Sequence, residues 1–504
     1  MTGQRIGIID IGSNSVRLVV YERTDNGAHR VVDASKRSAR LSGKIDEGGA
    51  LQDDALSELI DTLRHFMRIC SHHGIAHIRA VATAAVRNAT NRETILRRIK
   101  DEIGLSIELL SGIDEASFGF LGMINSLNIS EGFLIDIGGG STELSLFRER
   151  ELVHSVSFPF GCVSLNKKFD SREQLSDDAL KAIESIVGEA VRGHSWIREA
   201  PGLPLVGVGG TVRALGKVHQ AVHQYPFAQT HNYEMTESSV DELFQTLRRQ
   251  PLDRRRKTPG LSKDRADVIV PGIAVLRAVF RAARASHYQI CGAGLRDGLF
   301  HATRFPNRPK LDDPLSFSLR NISALHTEAP RQHVMQVNRL ALEIYDDLQP
   351  VHRFDARART LLDCASQLHR IGASIEYYDY ARHSFYLIIH SHLNGLTHRE
   401  IILTASIASY KSKSKVKSQV AEYRSLISDS DIELICKLGL LLQLAASLDR
   451  SETQAIGQLT VRTTDRLMLI RPLQIRGSLA VERRELEEIA SDFKKQWELE
   501  PVLL

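Results

Sequence analysis

Through residues 5–305, apolar runs of strand length alternate with amphipathic stretches of helix length, and two of the apolar runs break in the same way. Phe133–Phe147 reads FLIDIGGGSTELSLF. One run ends on Asp136, three glycines follow (Gly138, Gly139, Gly140), and Ser141–Thr142–Glu143 lead into the next run. This pattern predicts strand, tight turn, strand, because glycine adopts turn conformations that cost other residues. Near the N-terminus, Ile8–Val20 reads IIDIGSNSVRLVV. Laid on LIDIGGGSTELSL, it matches Asp10 to Asp136, Gly12 to Gly138, Ser15 to Ser141 and Leu18 to Leu144. Two like-built hairpins so far apart predict a duplicated lobe, with a ligand in the cleft between the copies.

Between and after the hairpins the pattern is mixed α/β. Leu51–Gly74 has helical spacing, and His72 and His73 at its end suit a helix terminus. Ile78–Ala82 reads as a strand running into Thr83, Arg87 and Asn91; on one helix, residues four apart share a face. Ser111 and Asp114 form a capping-box pattern ahead of Ser111–Gly122, with Glu115 in the first turn. Pro204–Leu215 predicts strand, glycine pair (Gly209, Gly210) and helix, without the GxGxxG of a dinucleotide fold. Arg265–Gly272 and Cys291–Phe300 are expected to close the second lobe, and Arg254–Lys257 to be a solvated basic loop. Arg304–Pro314, with three prolines, reads as a linker. Beyond it the pattern turns helical and His-rich (His333, His369, His383, His390, His392).

Composition narrows the class. At 504 residues the chain exceeds one core and should hold about three domains. With 42% hydrophobic and 25% charged residues it is of ordinary globular composition. No apolar run approaches membrane-spanning length and the chain enters a strand almost at once, so neither an anchor nor a signal peptide is expected. Cys70, Cys162, Cys291, Cys364 and Cys436 stand singly, which argues against zinc or a disulfide framework and for the cytoplasm. A net charge of +4 is too small to identify a partner.

The candidate chemistry is phosphate chemistry. Backbone N–H groups in a Gly-rich turn can converge on one anion, and the hydroxyls of Ser141 and Thr142 add donors. Asp136 would repel a bare phosphate, which suggests a divalent cation between them. Arg87 is of the type that grips phosphate oxygens in a bidentate way. Glu115 at a helix start can reach into a cleft as a general base. In the helical region, His369 is followed by Arg370, a cation where a metal site would want a carboxylate, so metal binding with Asp449 is not expected there. Lys411–Lys417 (KSKSKVK) sets lysine at every second position, as a solvated loop or as a rim for a long polyanion. Without interleaved aromatics it suits an unadorned phosphate chain better than nucleic acid.

The ordered set DIGSNSVRL, ATAAVRNATN, SGIDEASFGFLG, IDIGGGSTEL, GVGGTVRAL and CGAGLRDGLF resembles the exopolyphosphatase / guanosine pentaphosphate phosphatase family. The resemblance implies duplicated actin-like (ribonuclease H-like) α/β lobes, residues 1–128 and 129–305. An all-α, degenerate HD-type region follows at 306–504, where LHRIG (Leu368–Gly372) and RHSFYLI (Arg382–Ile388) carry the likeness. It implies Glu115 as the base that activates water, and Asp136 and Glu143 as holders of Mg²⁺. The terminal phosphate would be gripped by Ser13, Asn14, Arg87, Asn91, Gly139, Gly140, Ser141 and Thr142. The family pattern often has Glu where this chain has Asp114. A homodimer is implied as well.

The expected activity is exopolyphosphatase, with hydrolysis of pppGpp as the alternative. The long helical region and Lys411, Lys413, Lys415 and Lys417 favour the polymer, since a processive enzyme needs a track. Rivals are a kinase or ATPase on the same lobes, or a non-catalytic nucleotide sensor. No membrane or nucleic-acid partner is expected.

Overall fold

The hairpin strands of both lobes are buried on both faces, so each sheet needs cover on both sides. In the computed structural model, which describes residues 4–171 and 173–504, the first sheet holds β1 (Gln4–Ile11), β2 (Ser15–Arg23), β3 (His29–Ser38), β4 (His77–Ala82) and β5 (Ile107–Leu109). The second holds β6 (Gly132–Ile137), β7 (Thr142–Arg148), β8 (Glu151–Phe158), β9 (Leu205–Val208), β10 (Tyr233–Met235) and β11 (Tyr288–Ile290). Their orders are β3-β2-β1-β4-β5 and β8-β7-β6-β9-β11-β10. Two antiparallel pairings and two parallel ones recur in the same sequence, and β10 is added antiparallel at the second edge. The duplication suggested by two short motifs is thus a duplication of whole sheets.

One face of the first sheet packs Ile9 and Leu18 against Leu63 and Phe66 of helix Asp53–His72 and Ile95 of helix Arg92–Ile103. Full burial of each such side chain stabilises by about 1.5–3 kcal/mol. The second sheet is covered likewise by helices Asp177–Arg192, Gly209–Val222 and Ile269–Ala283. The opposite faces are covered by an exchange. Helix Gly112–Ile124, which follows the first sheet in the chain, packs Phe120, Met123 and Ile124 on Leu134 and Val206 of the second. Helix Leu295–Arg304, which follows the second sheet, packs Leu299 and Phe300 on Ile6, Ile8 and Val81 of the first. The two helices touch at glycines, where a Cβ on Gly298 would collide with the Phe118 carbonyl and one on Gly122 with that of Gly294. A division at residue 128 therefore cuts the chain between sheets while the packing runs across it. The basic run Arg254–Lys257 is not simply solvated, because Arg255 is buried and donates to the carbonyls of Ser171 and Ala266.

Residues 315–504 form a separate unit. Its helix Asp429–Ser447 is buried on nearly all sides and packs against helices Arg331–Asp347, Ala356–Leu368 and His398–Ala408. The helical expectation holds for most of this unit, but it is not all-α. β12 (Ile456–Thr463), β13 (Leu467–Ile475) and β14 (Glu500–Leu503) form a third sheet. One face buries Leu459, Val461, Met468 and Ile470. Arg462, Arg466 and Arg471 interrupt the apolar pattern, which hid these strands in the sequence. Among the described residues no helix is long and apolar enough to cross a membrane, and all five cysteines are buried free thiols.

Candidate active site

Both hairpin turns close with the same hydrogen bond, Gly12 N–H to the Ser15 carbonyl (3.2 Å) and Gly138 N–H to the Ser141 carbonyl (2.9 Å). The turns face each other. Gly139 lies so near Ser13 and Asn14 that a Cβ on it would stand 2.9 Å from the Ser13 Cβ. A cavity of ≈ 130 Å³ opens beside them, walled by Ser13, Asn14, Gly139 and Ser141, with Asp10, Asp136 and Glu115. Asp136 is the penultimate residue of β6, and Gly209 (φ +78°) brings the next strand–helix join against it. Any side chain at Gly209 would collide with the Asp136 carboxylate.

Glu115 is aimed by its helix start. Ser111 Oγ accepts from Asp114 N–H (3.1 Å) while Asp114 Oδ2 accepts from Ser111 N–H (3.1 Å), which fixes the first turn. Glu115 Oε2 then accepts from Arg87 Nη1 at 2.7 Å. Next to the cleft, Glu115, Asp136 and Glu143 line a second, smaller cavity of ≈ 10 Å³, at the lower limit for one water molecule. Glu143, across the β6–β7 pairing from Asp136, accepts from Ser157 Oγ at 2.8 Å. Burial pushes Glu115 up to about 7 against the pull of Arg87. Burial, then repulsion from Glu115 and Asp136, holds Glu143 well above the usual carboxylate range. Asp136 is raised by burial against Arg213. Three carboxylates crowded around one small space favour protons or a cation. Their oxygen donors fit a hard divalent ion such as Mg²⁺, which binds through one or two carboxylates and fills its shell with water and phosphate oxygens. Among the described residues no group of three or more His, Cys, Asp or Glu is placed to hold a metal ion, so such an ion would rest on Asp136 and Glu143 alone among the protein's carboxylates.

The cleft also holds cations that the sequence reading missed. Arg17, Arg213, Arg265 and Arg296 all line it. Arg17 faces Asp10 across β1–β2. Arg213 ties two glycine loops together, Nε to the Gly209 carbonyl (2.9 Å) and Nη1 to that of Gly292 (3.1 Å). The Arg265 guanidinium lies on Gly210, where a Cβ would displace it. Arg296 Nε stands 3.9 Å from Asp10 Oδ2. Burial and the neighbouring Arg296 and Arg213 lower Arg17 to about 10. Arg17 carried a readable signal: in the first hairpin it occupies the place that Glu143 has in the second.

Several expected phosphate ligands stand elsewhere. Arg87 and Asn91 do not share a helix face, because helix Ala84–Arg87 stops and another starts at Arg92. Asn91 is instead bound to Leu51, accepting its N–H (3.0 Å) and donating to its carbonyl (2.9 Å). Arg87 does not line the larger cavity and holds Glu115 and the Leu110 carbonyl (2.7 Å). Thr142 is fully buried, its hydroxyl donating to the Phe160 carbonyl (2.8 Å). Gly140 lies outside the cavity wall, beside Ser42 and Ser13. In the helical unit His333 pairs with Asp449 (2.9 Å) and Arg370 with Glu452 (3.1 Å). Lys413–Gln419 there is a helix; Lys411 pairs with Asp379 and Lys413 with Glu433. Lys415 and Lys417 are exposed and make no ion pair among the described residues.

Residues 19–303 match the model of the Ppx/GppA phosphatase family, and residues 322–477 that of Ppx/GppA phosphatase domain III. The chain is 31% identical over 401 residues to the guanosine-5'-triphosphate,3'-diphosphate pyrophosphatase of Aeromonas hydrophila subsp. hydrophila, covering 77% of each. Among solved structures it is similar to an exopolyphosphatase from Cytophaga hutchinsonii (TM-score 0.56, 24% identity, 61% of this chain and 100% of that one). It is also similar to the Ppx/GppA family member of Aquifex aeolicus (TM-score 0.53, 27% identity, 60% and 99%).

Proposed function

The chain belongs to the Ppx/GppA phosphatase family and is a phosphoanhydride hydrolase with actin-like lobes, and on that premise we propose that it is an exopolyphosphatase. The observation that carries the substrate is the cleft wall. Four arginines line it, with glycine turns and, among the described residues, no aromatic ring, so it suits phosphate and offers no stacking surface to a base. The terminal phosphoryl group sits between the facing turns, bonded by N–H groups around Gly139 and Ser141 and by Ser13 and Asn14. Glu115 orients the attacking water and takes its proton, a task suited to a carboxyl with a pKa near neutrality. Arg87 holds that carboxylate in place. Arg17, Arg213, Arg265 and Arg296 offset charge on the rest of the chain and on the leaving phosphate. A divalent cation held by Asp136 and Glu143 would neutralise phosphoryl oxygens.

The Aeromonas relative favours a second reading, pppGpp, whose triphosphate end could enter the same cleft with its guanosine outside. In the helical unit, Lys411–Lys417 is read as a polyanion surface whose free charge is that of Lys415 and Lys417. The deciding experiment compares phosphate release from polyphosphate, pppGpp and ATP with Mg²⁺ and no acceptor. Fastest release from polyphosphate is the expected result. Preference for pppGpp selects the second reading, and tight binding without release overturns both.

A further inference from the structure

The lysine run Lys411–Lys417 contains no aromatic residue, yet the fold brings aromatics to it. Lys411 Nζ lies 2.6 Å from Asp379 Oδ1, and the ring of Phe385 lies 6.5 Å from that of Tyr423. These contacts tie the two ends of segment 411–423 to helix Tyr380–His390 and the loop before it. Loop and helix expose Tyr377 (58%), Tyr378 (79%) and Tyr386 (57%). Asp379, Arg382, Tyr386 and His390 recur at helical spacing as one exposed stripe. The rings of Tyr386 and His390 are 4.4 Å apart, and those of Tyr377 and Tyr378 stand edge to face at 5.9 Å.

We propose that this face of the helical unit binds single-stranded nucleic acid. Sequence-tolerant single-strand binding combines cations that follow the backbone with aromatic faces on which bases stack. Both are present here. Arg382, in one stripe with Tyr386, and Lys415 and Lys417 make no ion pair among the described residues. Three tyrosine rings stand in solvent on the loop and helix that the ends of the lysine segment touch. A bare phosphate chain needs the cations and has no use for the rings. A protein partner suits the tyrosines, but lysine is depleted from the cores of protein interfaces. The inference is independent of which substrate the cleft hydrolyses.

The test is fluorescence anisotropy of the full chain with a labelled oligouridine of about 20 nucleotides. Binding is expected at low salt and should weaken as salt rises. Replacing the tyrosines together (Tyr377→Ala, Tyr378→Ala, Tyr386→Ala) should lower affinity about tenfold or more, while the rate of phosphate release and the melting temperature stay as in the wild type. Lys415→Ala with Lys417→Ala should flatten the salt dependence. If the triple variant misfolds, Tyr378→Ala alone serves, since that side chain is the most exposed. Absence of binding at low salt overturns the proposal. So does equal affinity for duplex, or a tyrosine variant that binds the oligonucleotide as the wild type does, which would leave a charge-only surface for polyphosphate. A tyrosine variant altered only in self-association also overturns it.

Discussion

The two glycine hairpins share a backbone pairing and differ in the residue that faces the aspartate. Both carry an aspartate, Asp10 or Asp136, one residue before the end of an apolar strand, and both close with a Gly N–H to Ser carbonyl bond. Opposite the aspartate, the first hairpin sets Arg17 and the second sets Glu143. In the proposed reading the first is the anion-receiving turn, with Arg296 also near Asp10. The second becomes a carboxylate-rich turn, joined by Glu115 and suited to a cation and a water molecule. In that reading one scaffold is supplied twice, and the residue opposite the aspartate sets each turn's share of the work.

Removing the carboxylate that completes the second hairpin's cluster should have the largest effect. Glu115→Gln is expected to slow phosphate release about a thousandfold or more while titration calorimetry shows substrate binding near normal; wild-type rates would sink the base assignment. Next come the two residues that distinguish the hairpins. Arg17→Gln should raise KM for polyphosphate by about tenfold to a hundredfold with the Mg²⁺ requirement unchanged. Glu143→Gln should instead raise the Mg²⁺ concentration needed for half-maximal rate by a similar factor. The same response from both variants would erase the division between the turns.

A smaller effect concerns pH. Glu115 acts as a base only when deprotonated, and its pKa is pushed up to about 7, so kcat/KM should fall as pH drops below that value and level off above it. Arg87 lowers that pKa. Arg87→Met should therefore move the acid limb to higher pH, and a limb that stays put or moves down would break the coupling. The smallest effect is predicted for Asn91→Ala. Loss of its paired bonds to Leu51 should lower stability by about 1–2 kcal/mol, seen as a lower melting temperature, with KM unchanged.

The Gly-rich turns, the Ser111–Asp114 capping box and the Thr83 strand end were all legible, because each depends on residues a few positions apart. Asn91 misled for the same reason. Its spacing from Arg87 is helical, but the helix breaks between them, and a contact with Leu51 decides where the amide points. The missed arginines lay inside stretches already singled out, such as GTVRAL and GLRDG, but nothing local shows that Arg213 and Arg296 converge on Asp10 and Asp136. The basic run around Arg255 looked solvated because charge alone cannot show that carbonyls of distant loops await a donor.

From the chain alone came the duplicated strand–turn–strand units, the helical character of the last part and the chemical types that suit phosphate. These follow from periodicity and backbone preference, which act between near neighbours. Tertiary structure alone decided the exchange of helices Gly112–Ile124 and Leu295–Arg304, the pairing of Arg87 with Glu115 and the contact of Lys411 with Asp379. Those depend on burying surfaces far apart in sequence, where glycines such as Gly122 and Gly298 matter only once two backbones must touch.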